Sequence, residues 1–119
     1  MKNQTVTINI DLKGVKSEQE VFDAFHHSLK FAYIPGNWAS LNDFLGSLDT
    51  ESKPPTGKYK SRKWPSSIHL IIKNIKSVEK LISKNAYCVL LSALAHSTDK
   101  HDRYDDLKFT FEIDNSEIE

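Results

Sequence analysis

Histidine, cysteine and carboxylate side chains are where chemistry would begin, and this chain of 119 residues has five histidines and one cysteine. His26 and His27 are adjacent, and neighbours on a helix point about 100° apart, so they cannot share a metal ion as an i, i+4 pair does. His96 and His101 flank an expected helix end with no cysteine nearby. His69 interrupts an apolar run and is expected to be a hydrogen-bonded core residue. A histidine-based nuclease needs two imidazoles and a cation converging on a cleft, and nothing in the spacing brings them together. Cys88 lies in the apolar run 88–91, which predicts a buried, inert thiol; with a single cysteine no internal disulfide can form, in keeping with a reducing compartment. No catalytic residue, metal site or cofactor is assigned, and the chain is read as a non-enzyme.

Two segments carry chemistry of another kind. Residues 33–45, YIPGNWASLNDFL, combine a turn, a helix start, a large aromatic and a carboxylate. Pro35 and Gly36 break the preceding helical pattern, and Asn37 can cap a new helix by accepting an otherwise unpaired backbone N–H of its first turn. The helix should therefore start at Trp38. Its apolar side is Trp38, Leu41, Leu45 and Leu48; Ala39, Asp43 and Gly46 cluster opposite and should face solvent or a partner. Trp38 is expected to anchor in the core, its indole N–H directed to a backbone carbonyl. The second segment is a long loop over 50–67 with three of the four prolines and five basic residues. In it Lys53, Lys58, Lys60, Arg62 and Lys63 surround Tyr59 and precede Trp64. Such a mixture could stack on and neutralise RNA, touch an acidic patch on a protein, or simply be solvated.

The remaining pattern supplies the frame. Val6, Ile8, Ile10 and Leu12 alternate with polar residues, the period of a strand with one covered face. Ser17 and Glu20 form a capping-box pattern, and Val21, Phe22, Phe25 and Leu29 recur at helical spacing, predicting a helix over 18–31. Residues 68–72 form a nearly continuous apolar run, expected to be a central strand covered on both faces. Ile75, Val78, Leu81 and Ile82 mark a short helix, and Tyr87, Leu90, Leu91 and Leu94 a longer one, with Asn85 as the cap between them. Leu107, Phe109, Phe111 and Ile113 alternate again, and a frayed acidic tail follows. Alternating strands and helices imply parallel strands joined by helical crossovers. The expected fold is therefore α/β in two layers, with a three-stranded parallel sheet in order 1-2-3 and about four helices.

Bulk properties narrow the function. The length suits one domain spanning 1–119. Sixteen basic and sixteen acidic residues cancel, which argues against a general nucleic-acid binder. The N-terminus lacks the apolar stretch of a signal peptide, and no run approaches the roughly 18 apolar residues that span a bilayer. The reading is a cytoplasmic protein, monomeric when free, with neither membrane nor nucleic-acid partners.

Tyr33, Gly36, Asn37, Trp38, Leu41, Asp43 and Leu45 resemble the motif of the barstar family, small intracellular inhibitors of ribonucleases: an aromatic, a glycine, then Asn, a hydrophobic residue, Asp-Ala-Leu, a variable residue, Asp and a leucine. The element order is also similar to that family's three-stranded α/β fold, so the resemblance extends over 6–113. It implies that the motif helix and the loop before it enter a nuclease active site, with carboxylates in place of substrate phosphate. Asp43 matches the second motif aspartate and Tyr33 the aromatic; Ala39 stands where the first aspartate would be, and Gly36 directly precedes Asn37. A further acidic contact of the family's last helix has no match at 94–96. Ala39 and Gly46 remove bulk, which lets a protruding partner loop approach closely.

The expected function is thus an immunity protein that forms a 1:1 complex with a cognate toxin, a nuclease, as in contact-dependent growth inhibition. Its expected partner surface is Tyr33, Pro35, Gly36, Ala39, Asn42, Asp43 and Gly46, with a secondary contact through Lys58, Tyr59, Lys60, Arg62 and Trp64. Two alternatives stand beside it: an RNA-binding module using the loop 53–64, and an interaction scaffold that inhibits nothing.

Overall fold

Three strands with a two-residue period form the sheet in the computed structural model, which describes residues 5–31, 33–48 and 67–114. They are β1 (Thr5–Asp11), β2 (Ser67–Lys73) and β3 (Lys108–Asp114). All pair in parallel, in the order β1-β2-β3. The register sets Val6, Ile68 and Phe109 in one row, Ile8, Leu70 and Phe111 in the next, and Ile10, Ile72 and Ile113 in the third. These rows form the apolar face on which the helices pack.

Four α-helices lie among the described residues: α1 (Glu18–Leu29), α2 (Trp38–Gly46), α3 (Lys76–Leu81) and α4 (Lys84–Thr98). A single 3-10 turn, Lys100–Asp102, follows α4. The core joins Val21, Phe22, Phe25 and Leu29 of α1, Leu41 and Leu45 of α2, and Leu90 and Leu94 of α4 to the sheet's apolar rows. None of these helices is long and apolar enough to cross a membrane.

Local chemistry sets the helix boundaries. Ser17 accepts the Glu20 N–H at 3.2 Å, while the Glu20 carboxylate reaches back to the Lys16 N–H at 3.0 Å, one residue before the N–H that a capping box would use. Residue Lys30 adopts a left-handed conformation (φ 56°) and donates its N–H to His26 O at 2.8 Å, which ends α1 at Leu29 instead of continuing to 31. The cap of α4 is Ser83, whose hydroxyl accepts the Ala86 N–H at 3.0 Å; Asn85, expected there, lies inside the first turn. At the end of β2, Asn74 (φ 58°) donates to the Asp11 carboxylate at 2.8 Å. That bond, aided by the Lys13 backbone N–H and the charges of Lys73 and Lys13 and opposed by burial, holds the Asp11 carboxyl below its usual range.

Three expectations about burial change. β2 is covered on one face only: Ile68, Leu70 and Ile72 are buried, whereas His69 and Ile71 are half-buried on the other side. That second face carries Thr7, Asn9, Thr110 and Glu112 in the adjoining strands, which are exposed. His69 is accordingly not a core residue. It is hydrogen-bonded, through Nδ1 to Thr110 Oγ1 at 2.7 Å and through Nε2 to Glu112 Oε1 at 2.8 Å. Cys88 is exposed, because α4 turns Ala86, Leu90, Ala93, Leu94 and Ser97 inward and places residue 88 on the opposite side. The acidic tail and the loop residues 50–66 lie outside the described residues.

Candidate functional site

Helix α2 begins where its sequence says it should. Asn37, in extended conformation, accepts the Ser40 N–H at 2.8 Å through its side-chain oxygen, and Trp38 is the first helical residue. Leu41 and Leu45 are fully buried and orient the helix, leaving Ala39 and Asp43 exposed. Trp38 is half-buried with its ring edge-on to Phe22, centroids 4.9 Å apart at 80°. Its indole nitrogen is buried and meets no acceptor among the described residues, where the sequence led us to expect a carbonyl. Apolar and ring contacts therefore hold this side chain in place.

The far end of α2 is held by a clamp. Arg103, its side chain 1% exposed, pairs through Nε and Nη2 with both oxygens of Asp105, at 2.8 and 3.0 Å. Its Nη1 donates to Leu45 O at 2.8 Å and to Ser97 O at 3.0 Å. The guanidinium lies 5.2 Å from the centroid of the Phe109 ring, within the range of a cation–π contact. Asp105 is 5% exposed and also accepts the Leu107 N–H at 3.1 Å. One buried ion pair thus ties the end of α2, the end of α4 and the approach to β3. Next to it, the Tyr104 N–H bonds Gly46 O at 2.8 Å.

Between α2 and α4 runs an open cleft of about 360 Å³, lined by Trp38, Ala39, Asn42, Val89, Ser92 and His96 among others. Among the described residues no lysine or arginine lines it. His96 Nδ1 stands 3.3 Å from Asp102 Oδ2, which links the cleft to the 3-10 turn. Among the described residues no group of three or more histidine, cysteine or acidic side chains could hold a metal ion.

The expected partner residues divide on this structure. Tyr33, Gly36, Ala39 and Asp43 are exposed, and Asn42 is half-buried in the cleft. Two are corrected. Pro35 is buried, so it shapes the turn and is not a contact. Gly46 is buried because the connection after α4 folds over it: a Cβ there would meet Asp102 O at 3.7 Å and the Tyr104 ring at 3.7 Å. The bare patch expected at residue 46 is therefore occupied by Tyr104, which is 77% exposed. The secondary set, Lys58, Tyr59, Lys60, Arg62 and Trp64, lies outside the described residues. Ser92, His96, Asp102 and Tyr104 adjoin α2 but carry no motif. The one sequence signal for them is an aromatic within the polar run HDRYDD. The chain matches no protein-family model, and no curated protein is significantly similar to it.

Proposed function

We propose that this protein is a barstar-like immunity protein that binds a cognate toxin, a nuclease, and occludes its active site with α2 and the turn before it. The observation that supports the reading is the exposed Asp43 on a helix with no cationic side chain, flanked by the exposed Tyr33, Gly36 and Ala39. Nuclease active sites gather lysine, arginine and histidine around a phosphate. A carboxylate on a rigid, capped helix can stand in for that phosphate, and its worth rises as docking excludes water. Ala39, lacking bulk, leaves room for a partner loop beside Asp43. The parallel three-stranded sheet and the helix order are compatible with the same family reading. The working protein is a cytoplasmic monomer that forms a 1:1 complex, needs no cofactor, and neither binds nucleic acid nor catalyses a reaction. An interface of about 1,600 Å² total with little backbone movement suits an inhibitor that must act before damage occurs.

The test uses the purified catalytic domain of a nuclease toxin captured with this protein in a pull-down from its native operon. An equimolar amount of the protein should abolish cleavage of RNA, and Asp43→Ala should weaken binding about 30-fold or more, the loss that marks a hot spot. Undiminished cleavage in the presence of excess protein overturns the proposal. Affinity of Asp43→Ala within about threefold of wild type removes Asp43 from the contact.

A further inference from the structure

We infer that the connection between α4 and β3 is a second half of the docking face, with Tyr104 and Asp102 meeting the same cationic protein partner as Asp43. The inference rests on the reading of α2 as partner-facing and extends it to residues that carry no motif. Tyr33 and Tyr104 are the two most exposed large apolar side chains among the described residues, at 73% and 77%. They are not scattered. Tyr33 precedes the Asn37 cap, and Tyr104 packs on Gly46, the last residue of α2. A nine-residue helix is about 13 Å long, so the two exposed tyrosines sit towards opposite ends of the helix that carries Asp43.

Tyr104 is exposed yet positioned. Its N–H bonds Gly46 O at 2.8 Å, and its neighbour Arg103 is anchored by four hydrogen bonds to Asp105, Leu45 and Ser97. Ordering a loop on binding costs affinity, and a buried ion pair beneath the loop has already ordered it. A tyrosine with few rotatable bonds on such a base is suited to contact a partner.

Charge selects the occupant. Arg103 and Asp105 neutralise each other in a buried pair, so across α2 and residues 99–106 four aspartates remain, Asp43, Asp99, Asp102 and Asp106, against Lys100. Asp102 is 39% exposed beside His96. The surface is therefore acidic with an aromatic at each end, which complements a protein rich in lysine and arginine and repels the phosphates of a nucleic acid.

The test measures binding of wild type, Tyr104→Ala, Tyr104→Phe, Asp102→Lys, Asp43→Ala and Thr110→Ala to the same toxin catalytic domain, with melting curves for each. Tyr104→Ala should weaken binding about 30-fold or more, mainly through faster dissociation, while Tyr104→Phe and the far-face control Thr110→Ala stay within threefold. Asp102→Lys, which leaves the ring over Gly46, should weaken binding about tenfold or more and reports on the surface if Tyr104→Ala folds poorly. Wild-type affinity in both Tyr104→Ala and Asp102→Lys, with a loss in Asp43→Ala, overturns this inference and leaves the proposed function standing. A toxin domain that wild type does not bind overturns both.

Discussion

Arg103 is a residue whose removal should cost the fold heavily. It is a cation held at 1% side-chain exposure, and its partners are a carboxylate at 5% and two backbone carbonyls. Truncating it to alanine takes the paired cation away from a buried carboxylate and removes two hydrogen bonds to backbone carbonyls, a loss of about 3–5 kcal/mol. Arg103→Ala should therefore lower Tm by more than about 10 °C in thermal unfolding. Replacing both members, Arg103→Met with Asp105→Leu, should recover most of that loss, because no lone charge remains buried. An unchanged Tm in Arg103→Ala would show that the clamp contributes nothing. Nothing in the sequence around residue 103 marks it as buried, since arginine in the run HDRYDD reads as solvated. Asp43 was legible because helical spacing alone puts it opposite Leu41 and Leu45.

At the scale of elements, caps and periods decided most boundaries, and the misplacements have local causes. α2 starts at Trp38 because Asn37 is both extended and hydrogen-bonded to Ser40, as the sequence predicts. α4 starts one turn earlier than its apolar residues suggest, because Ser83 reaches the Ala86 N–H before Asn85 can act as a cap. Ser83→Ala should cost about 1 kcal/mol in denaturant unfolding, and Asn85→Ala should stay within about 0.5 kcal/mol of wild type. The reverse ranking would restore Asn85 as the cap. Trp38 illustrates a subtler failure: the apolar face was correctly read, but whether an indole N–H finds an acceptor depends on neighbouring elements that periodicity does not describe.

At the scale of the whole molecule, the described residues form a sheet with a core on one side. Leu70, fully buried in the middle strand, faces the helices, whereas Thr7 of the neighbouring strand lies on the exposed face. Leu70→Ala should destabilise by about 2–5 kcal/mol and Thr7→Ala by no more than about 0.5 kcal/mol, measured by denaturant unfolding. Comparable losses at both positions would mean that the second face is covered after all. The sequence by itself determined the strand and helix order, the start of α2 and the outward place of Asp43. Those follow from spacing, capping and alternation, which are local. The parallel order 1-2-3 agrees with expectation, although the two-sided burial of β2 behind that expectation does not hold. Only the tertiary structure decided that β2 is covered on one face, that Cys88 is exposed, that Pro35 and Gly46 are buried, and that Tyr104 stands over the end of α2. Each of those depends on which distant segment lies alongside, as when Arg103 reaches back 58 residues to Leu45, and no periodicity within a short window carries that information.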